Sequence, residues 1–427
     1  MRVPRPLLPL ALAAATAAVT VALPAAAPAR TLRACHVGHG CFPRIQDAVD
    51  AARAGDTVRI DRGTWRESVR IPASKDRLRL IGDVKHPRRV ALLNKGLKGA
   101  ARSNGIFVDG ANAVTISGVY AKNFRANGIF INDAVGYTVS HAVASGTAGY
   151  GIFAFNSKGG FITRSEAFYN ADSGFYVGQT PRQTKPRRTV LSHLTAWGNV
   201  LGYSGTNSRY VLITRSRFFN NGVGIAPNSL DSERFPPDED NIIRNNDVFW
   251  NNYDYYRGSP FPTPHPEVGE IPFPVGVGIL LFSGRGNIVE SNRIFGNYLA
   301  GYAQVSSIVL KNQRLAQLEN NVVRDNAFGL DGNDLNARDI GYEGSGSGNC
   351  FENNTGVRVT VPADGSTIVP CDPPTPNTFD PAAQQELYGF AGDSTHEANW
   401  IVHPHAARKG CAPLEHYTRP EDQRWGC

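Results

Sequence analysis

Gly105-Ile106-Phe107-Val108, Gly128-Ile129-Phe130-Ile131, Gly151-Ile152-Phe153-Ala154 and Gly174-Phe175-Tyr176-Val177 repeat one phrase at an interval of 23 residues. The same interval separates Gly278-Ile279-Leu280-Leu281 from Gly301-Tyr302-Ala303-Gln304. A fixed period of this length marks a solenoid, in which each repeat buries its apolar face only against its neighbours. The repeat is too short for two helices and a turn, and its phrases are rich in β-branched and aromatic residues. Each repeat therefore reads as one turn of a β-coil.

Aligning the opening glycines sets the phase. The next residue is apolar nearly throughout: Ile106, Ile129, Ile152, Phe175, Tyr203, Ile225, Ile279, Tyr302 and Leu330. Strands alternate faces, so this position points into the coil and the one after it points out. Phe107, Phe130, Phe153 and Tyr176 then form a column on the outside, one ring per strand spacing of ~4.8 Å. Second strands follow at Val114-Thr115-Ile116 and Phe161-Ile162-Thr163, and third segments end on asparagine, as in Phe168-Tyr169-Asn170. Asparagines five apart recur at 246/251, 292/297, 321/326 and 349/354. Asparagine tolerates the left-handed backbone of tight corners, and stacked amides are expected to bond along the axis. Insertions interrupt the period at 179–188, 228–240, 253–275, 305–316 and 333–348. Those that follow a Gly-Ile strand are expected to leave from one corner and wall one side of the coil, where function usually resides.

The two ends of the chain read differently. Residues 1–29 have the form of a secretory signal peptide: Arg2 and Arg5, an apolar run from Leu7 to Leu23, then Ala27-Pro28-Ala29 as a small-x-small cleavage site. Residues 30–103 carry a cap and the first coils, 104–356 the repeats, and 357–427 a proline-rich C-terminal cap and tail. Pro43 to Arg53 reads as a capping helix with Ile45, Ala48, Val49 and Ala52 on one stripe. An open coil end exposes unpaired backbone, which such a helix would cover. The six cysteines fall into three local pairs, 35–41, 350–371 and 411–427, and an oxidising compartment makes these disulfides. These features predict a secreted or periplasmic monomer with no membrane segment once the leader is removed. The net charge of +7 favours an anionic partner only slightly, and the scattered basic residues exclude a nucleic-acid-binding stripe.

Ile45-Gln46-Asp47-Ala48-Val49-Asp50-Ala51-Ala52, Gly55-Asp56-Thr57-Val58 and Gly63-Thr64-Trp65-Arg66-Glu67 resemble the N-terminal cap of right-handed parallel β-helix proteins of the pectate-lyase-like superfamily. With the Gly-Ile repeats, the resemblance spans residues 42–356. It implies an all-β, single-stranded right-handed parallel β-helix of about ten or eleven coils with an N-terminal capping helix. Function follows less directly, because that superfamily holds lyases, hydrolases, epimerases, esterases and non-enzymes. The polygalacturonase motifs of the superfamily are missing apart from Gly38-His39-Gly40, which precedes the first coil.

The outer column offers a platform for sugar rings, with Asp109 and Asn132 two residues further on to meet hydroxyls. Asp109, Asp133 and Asp172 are the candidate catalytic carboxylates, since glycoside hydrolysis needs two carboxyl groups in different protonation states. A lyase of this superfamily would instead neutralise a uronate with calcium or a basic group. Calcium needs several oxygens in one place, and the acidic stretch 231–240 or Asp331 and Asp334 would supply them. His193, Tyr176, Arg209 and Lys122 are further acid–base or charge-neutralising candidates. Arg182, Lys185, Arg187 and Arg188 would give the wall a preference for an acidic chain. The expectation is a protein that binds, and in an enzymatic version cleaves, an extracellular polysaccharide. The alternative is a non-catalytic, surface-associated solenoid.

Overall fold

The computed structural model describes residues 28–253, 255, 273–329 and 335–389. Each turn of the chain adds one strand to each of three parallel sheets. Sheet I has eleven strands and holds the glycine phrases, including Asn104–Asp109, Asn127–Asn132, Ile152–Phe155 and Ser173–Gly178. Sheet II, with twelve strands, follows in each turn, as at Thr115–Ser117 and Thr138–Ser140. Sheet III, with ten, closes the turn, as at Tyr120–Lys122 and Val143–Ser145.

The expected phase holds. Ile106, Ile129, Ile152, Phe175, Tyr203, Ile225, Ile279, Tyr302 and Ile340 are successive register partners in sheet I, and all are buried. The end of this series differs from expectation: Ile340 takes the place after Tyr302, while Leu330 lies outside the described residues. The preceding glycines are needed for close approach. A Cβ on Gly128 would stand 2.6 Å from the carbonyl oxygen of Gly151 and 2.8 Å from the Cβ of Ala144. Ala121, Ala144, Ala167 and Ala196 stack on the facing sheet III, so small residues on both sides let the coil narrow there.

Left-handed residues mark the corners. Asp133, Asn156, Gln179 and Asn207 turn the chain out of sheet I; His141, Arg164, His193 and Arg215 turn it from sheet II to sheet III; Tyr169, Asn220 and Trp250 turn it out of sheet III. The asparagines bond along the axis, but the members of each five-residue pair occupy different corners. Asn170, Asn199, Asn221, Asn251, Asn297 and Asn336 form one ladder, each amide donating to the next at 2.8–3.1 Å. Asn246, Asn292, Asn326 and Asn354 form a second at 2.9–3.0 Å. These amides satisfy buried donors and acceptors that the turns leave behind.

Both ends carry helices. Ile45–Ala51 is shorter than the expected 43–53 because Arg44, in extended backbone, is its N-cap, which leaves Pro43 outside. It lies beside Val69–Pro72, the terminal strand of sheet I. The longest described helix, Pro381–Gly389, is at the other end and packs on Ile340–Tyr342 and Thr360–Val361. Cys35–Cys41 and Cys350–Cys371 are disulfides; Cys411 and Cys427 lie outside the described residues, as does nearly all of the leader. Among the described residues no helix is long and apolar enough to cross a membrane.

Three of the insertions, expected at 179–188, 228–240 and 305–316, leave sheet I by the same corner, as expected; because the preceding strands run to Asn228 and Val305, the last two begin at 229 and 306. The 253–275 insertion differs: it joins sheet III to sheet I and so leaves from another corner, with residues 254 and 256–272 outside the described set.

Candidate functional site

The outward column on sheet I runs Arg70, Phe107, Phe130, Phe153, Tyr176, Ser204 in register. Parallel in-register strands bring identical side chains to stacking distance. Phe107 and Phe130 stack with centroids 4.9 Å apart and planes at 13°, and Phe130 and Phe153 at 4.6 Å and 10°. These three rings are half-buried, so part of each remains at the surface. Tyr176 breaks the series: it meets Phe153 edge-on at 4.8 Å and is itself buried. Tyr150 caps the stack, lying 4.5 Å from Phe153 and 4.7 Å from Tyr176.

At the tyrosine end the ladder meets two carboxyl groups. Asp172 immediately precedes the strand Ser173–Gly178 and accepts a hydrogen bond from the Ser173 hydroxyl at 2.7 Å. The Tyr150 hydroxyl acts on it as a neutral donor that favours its ionised form. Glu233 comes from the 229–240 loop and accepts a hydrogen bond from the amide of Gln179, at the corner that ends the same strand. Burial raises Asp172 above the usual carboxylate range, against the hydrogen bonds of Ser173 and Tyr150. Burial also raises Glu233, and the charge of Asp172 adds to it despite the Gln179 bond. Burial and the nearby carboxylates keep Tyr150 and Tyr176 protonated.

The loops around this cluster are knitted together. Arg209 is fully buried, pairs with Glu239 at 2.7 Å, and donates to the carbonyls of Thr180, Phe235 and Pro237. It is a structural tie between two insertions rather than a group available to a ligand. Arg182 donates to the carbonyl of Pro236 at 2.9 Å, and the backbone N–H of Asn312 donates to Asp231 at 2.9 Å. Three successive insertions thus form one wall.

The other candidates are scattered. Asp109 is ion-paired with Arg70, its neighbour in the outward column's first turns. Asp133 is not opposite it: Asn132 is its register partner, and Asp133 occupies a left-handed corner where it accepts from Asn156 at 3.2 Å. His193 is an exposed corner residue, and Lys122 is an exposed residue of sheet III. The basic wall is also dispersed. Arg182 and Arg188 bond to carbonyls of the 229–240 loop, Arg187 lies over Gly136 and Gly159, and Lys185 is exposed. Four carboxylates of 231–240 have separate partners: Asp231 accepts from Asn312, Glu233 from Gln179, Asp238 is buried against Ser208 and Asn241, and Glu239 is paired to Arg209 and Arg285. Asp331 and Asp334 lie outside the described residues. Among the described residues no group of three or more His, Cys, Asp or Glu converges as a metal site.

Sequence reasoning missed Tyr150 and reached Glu233 only as one oxygen donor of the acidic stretch 231–240. For Tyr150 a signal existed: the position before the opening glycine is Asn104, Asn127, then Tyr150, a change from amide to ring within a regular series. Nothing in the spacing placed Glu233 beside Gln179, because that approach depends on how a loop 54 residues downstream folds back. A second outward ladder on sheet III, Phe168, Trp197, Phe219, Phe249 and Phe295, also went unread, although these rings are buried.

Three parallel sheets wound from a single strand per turn define a parallel β-helix. The family described as a right handed beta helix region matches residues 96–234 and 206–372, more than half of the chain, and the chain belongs to it. No curated protein matches this sequence. Among solved structures, the chain is similar to the catalytic domain of a GH87 alpha-1,3-glucanase in complex with nigerose. That match has 12% identity and a TM-score of 0.52, and covers 78% of this chain and 65% of that one. It is also similar to the A-module of the Azotobacter vinelandii mannuronan C-5 epimerase AlgE6, at 16% identity, 73% and 89% coverage and TM-score 0.49. Pectate lyase Pel9A matches at 12% identity, 76% and 75% coverage and TM-score 0.41. At these identities the likeness is one of fold.

Proposed function

We propose that this protein is exported and binds a polysaccharide lying along the solenoid axis on the outer face of sheet I. The observation that carries the reading is the stack of Phe107, Phe130 and Phe153, half-exposed, with centroids 4.6–4.9 Å apart. That repeat is close to the length of one sugar residue, and aromatic faces bind the apolar faces of sugar rings. Tyr150 ends the platform, and the wall of insertions borders it. The groups beside the ladder are Asn132, Asp172, Glu233 and the Arg70–Asp109 pair, which suit the hydroxyls of a neutral chain better than uronate carboxylates. The glucanase of similar fold, whose complex holds nigerose, supports a carbohydrate partner. The leader pattern and the Cys35–Cys41 and Cys350–Cys371 disulfides support export.

Native electrophoresis through gels containing soluble starch, dextran, arabinoxylan, galactomannan, polygalacturonate or alginate tests this. At least one neutral polymer should retard the wild type, and replacing Phe130 and Phe153 with alanine should weaken that retardation at least tenfold without unfolding the protein. Retardation by none of the six would leave a non-catalytic display solenoid as the better reading.

A further inference from the structure

We infer that the ladder takes the end of a polysaccharide chain, about three sugar residues deep, and not the interior of the chain. The inference rests on the binding reading above and adds which part of the polymer is bound.

Exposure along the outer face of sheet I changes at one turn. In the ladder's own column Arg70 is exposed and Phe107, Phe130 and Phe153 are half-buried. Their successors in register, Tyr176, Ser204 and Ala226, are only 3%, 4% and 4% exposed. The neighbouring outward column changes at the same place: Asp109, Asn132 and Phe155 are half-buried, and Gly178, next in register, is buried. All six residues of Ser173–Gly178 are buried. The floor open to a ligand therefore spans the three turns of Phe107, Phe130 and Phe153 and stops at Tyr176.

Contacts on both flanks close that end. The 229–240 loop begins two turns beyond it, after Val223–Asn228, and folds back along the corner. On the way the amide of Asn207 donates to the carbonyls of Leu230 and Arg234 at 2.7 and 3.0 Å, and Gln179 then bonds to Glu233 and to the backbone N–H of Arg234. At the opposite corner the Tyr150 ring lies 4.5 Å from Phe153 and 4.7 Å from Tyr176. The other end differs, since the Arg70 side chain is 64% exposed. The interior of a polymer needs a floor that continues in both directions, whereas a floor open at one end admits a terminus. Centroids 4.9 and 4.6 Å apart give one ring to each sugar residue, hence a depth of about three. The terminal residue lies over Phe153 beside Tyr150, the next two lie over Phe130 and Phe107, and the rest of the chain leaves past Arg70.

The test uses the full mature protein and whichever of the six polymers retards it most strongly. That polymer is hydrolysed in dilute acid until its count of chain ends has risen about tenfold, and the intact and hydrolysed samples compete for the protein against the polymer in the gel. Competition follows the molar concentration of the groups that bind, so end recognition should make the hydrolysed sample about tenfold more effective at equal mass. A gain below about threefold would show that chain interiors are bound, which overturns the inference and leaves the binding reading intact. Oligomers of the same hydrolysate, titrated by calorimetry, give a second measure. Kd should fall with each residue up to about three or four and change less than about twofold beyond that. A larger fall between four and six residues would also overturn the inference. Retardation by none of the six polymers would overturn both readings.

Discussion

Arg209 and Glu239 form an ion pair at 2.7 Å in which the arginine side chain has no exposure to solvent. The neighbouring Arg285 shares the glutamate at 2.9 Å, and together the two guanidinium groups outweigh burial and hold Glu239 below its ordinary range. Because the other Arg209 donors reach Thr180, Phe235 and Pro237, this one side chain fixes two insertions relative to the coil. The course of the 229–240 loop, which brings Glu233 to Gln179, depends on it.

Removing the Arg209 guanidinium leaves Glu239 with Arg285 and strips the carbonyls of Thr180, Phe235 and Pro237 of a donor, and a buried acceptor left without its bond costs about 1–3 kcal/mol. Arg209→Ala should therefore loosen 229–240, and hydrogen exchange should show faster opening there and at 179–188 while the sheet amides stay protected. If exchange in those loops is unchanged, Arg209 is not the tie described.

Asp238 gives a pH-dependent counterpart. Burial pushes it up to about 8, against the opposing hydrogen bonds of Ser208 and Asn241 and the charge of Arg209. A carboxyl group whose folded value lies above its unfolded value of 3.8 stabilises the fold fully below about pH 4 and progressively less as pH rises through about 8. Asp238→Asn keeps the oxygen that accepts from Ser208 and Asn241 and removes the titration. Urea midpoints from pH 5 to pH 9 should fall more steeply for the wild type than for the variant. Parallel curves would show that Asp238 does not titrate across this range.

The alternation of strands explains which parts of this structure were legible in the sequence. Ile129 and Phe130 are adjacent, yet one is buried and the other half-exposed, as their place after the glycine requires. Local periodicity was enough for the coil, the inward series and the phenylalanine stack. It was not enough where a loop crosses several turns: Glu233, Arg182 and Arg187 find partners that no spacing encodes. Asp133 stands at a left-handed corner, a place that aspartate fills for backbone reasons alone.

The same alternation yields a graded prediction. Ile129→Ala opens a void between Ile106 and Ile152 and should cost about 2–5 kcal/mol. Phe130→Ala removes a ring that already meets solvent along part of its surface, so its cost should be clearly smaller. Paired chemical-denaturation curves for the two variants decide this, and equal costs would mean that the outer ladder is as closely packed as the core.

The asparagine ladder can be tested with one atom. Asn251 has no solvent exposure; its amide donates to the carbonyl of Phe218 and to Asn297, both at 3.1 Å, while its oxygen accepts from the amide of Asn221 at 3.1 Å. Asn251→Asp keeps the shape and the acceptor but points a second oxygen at two acceptors. An unmade bond at a buried group costs about 1–3 kcal/mol, and a buried charge costs more. The aspartate should accordingly take up a proton well above the usual carboxylate range, because only the acid can donate to Phe218 or Asn297. Asn251→Asp should be destabilised at neutral pH and regain stability as the pH is lowered, whereas Asn251→Ala should be destabilised to a similar extent at every pH. Thermal melts of both variants against the wild type at pH 4, 6 and 8 measure this. An aspartate variant whose deficit does not shrink at low pH would show that the amide donors of Asn251 do not hold the turns together.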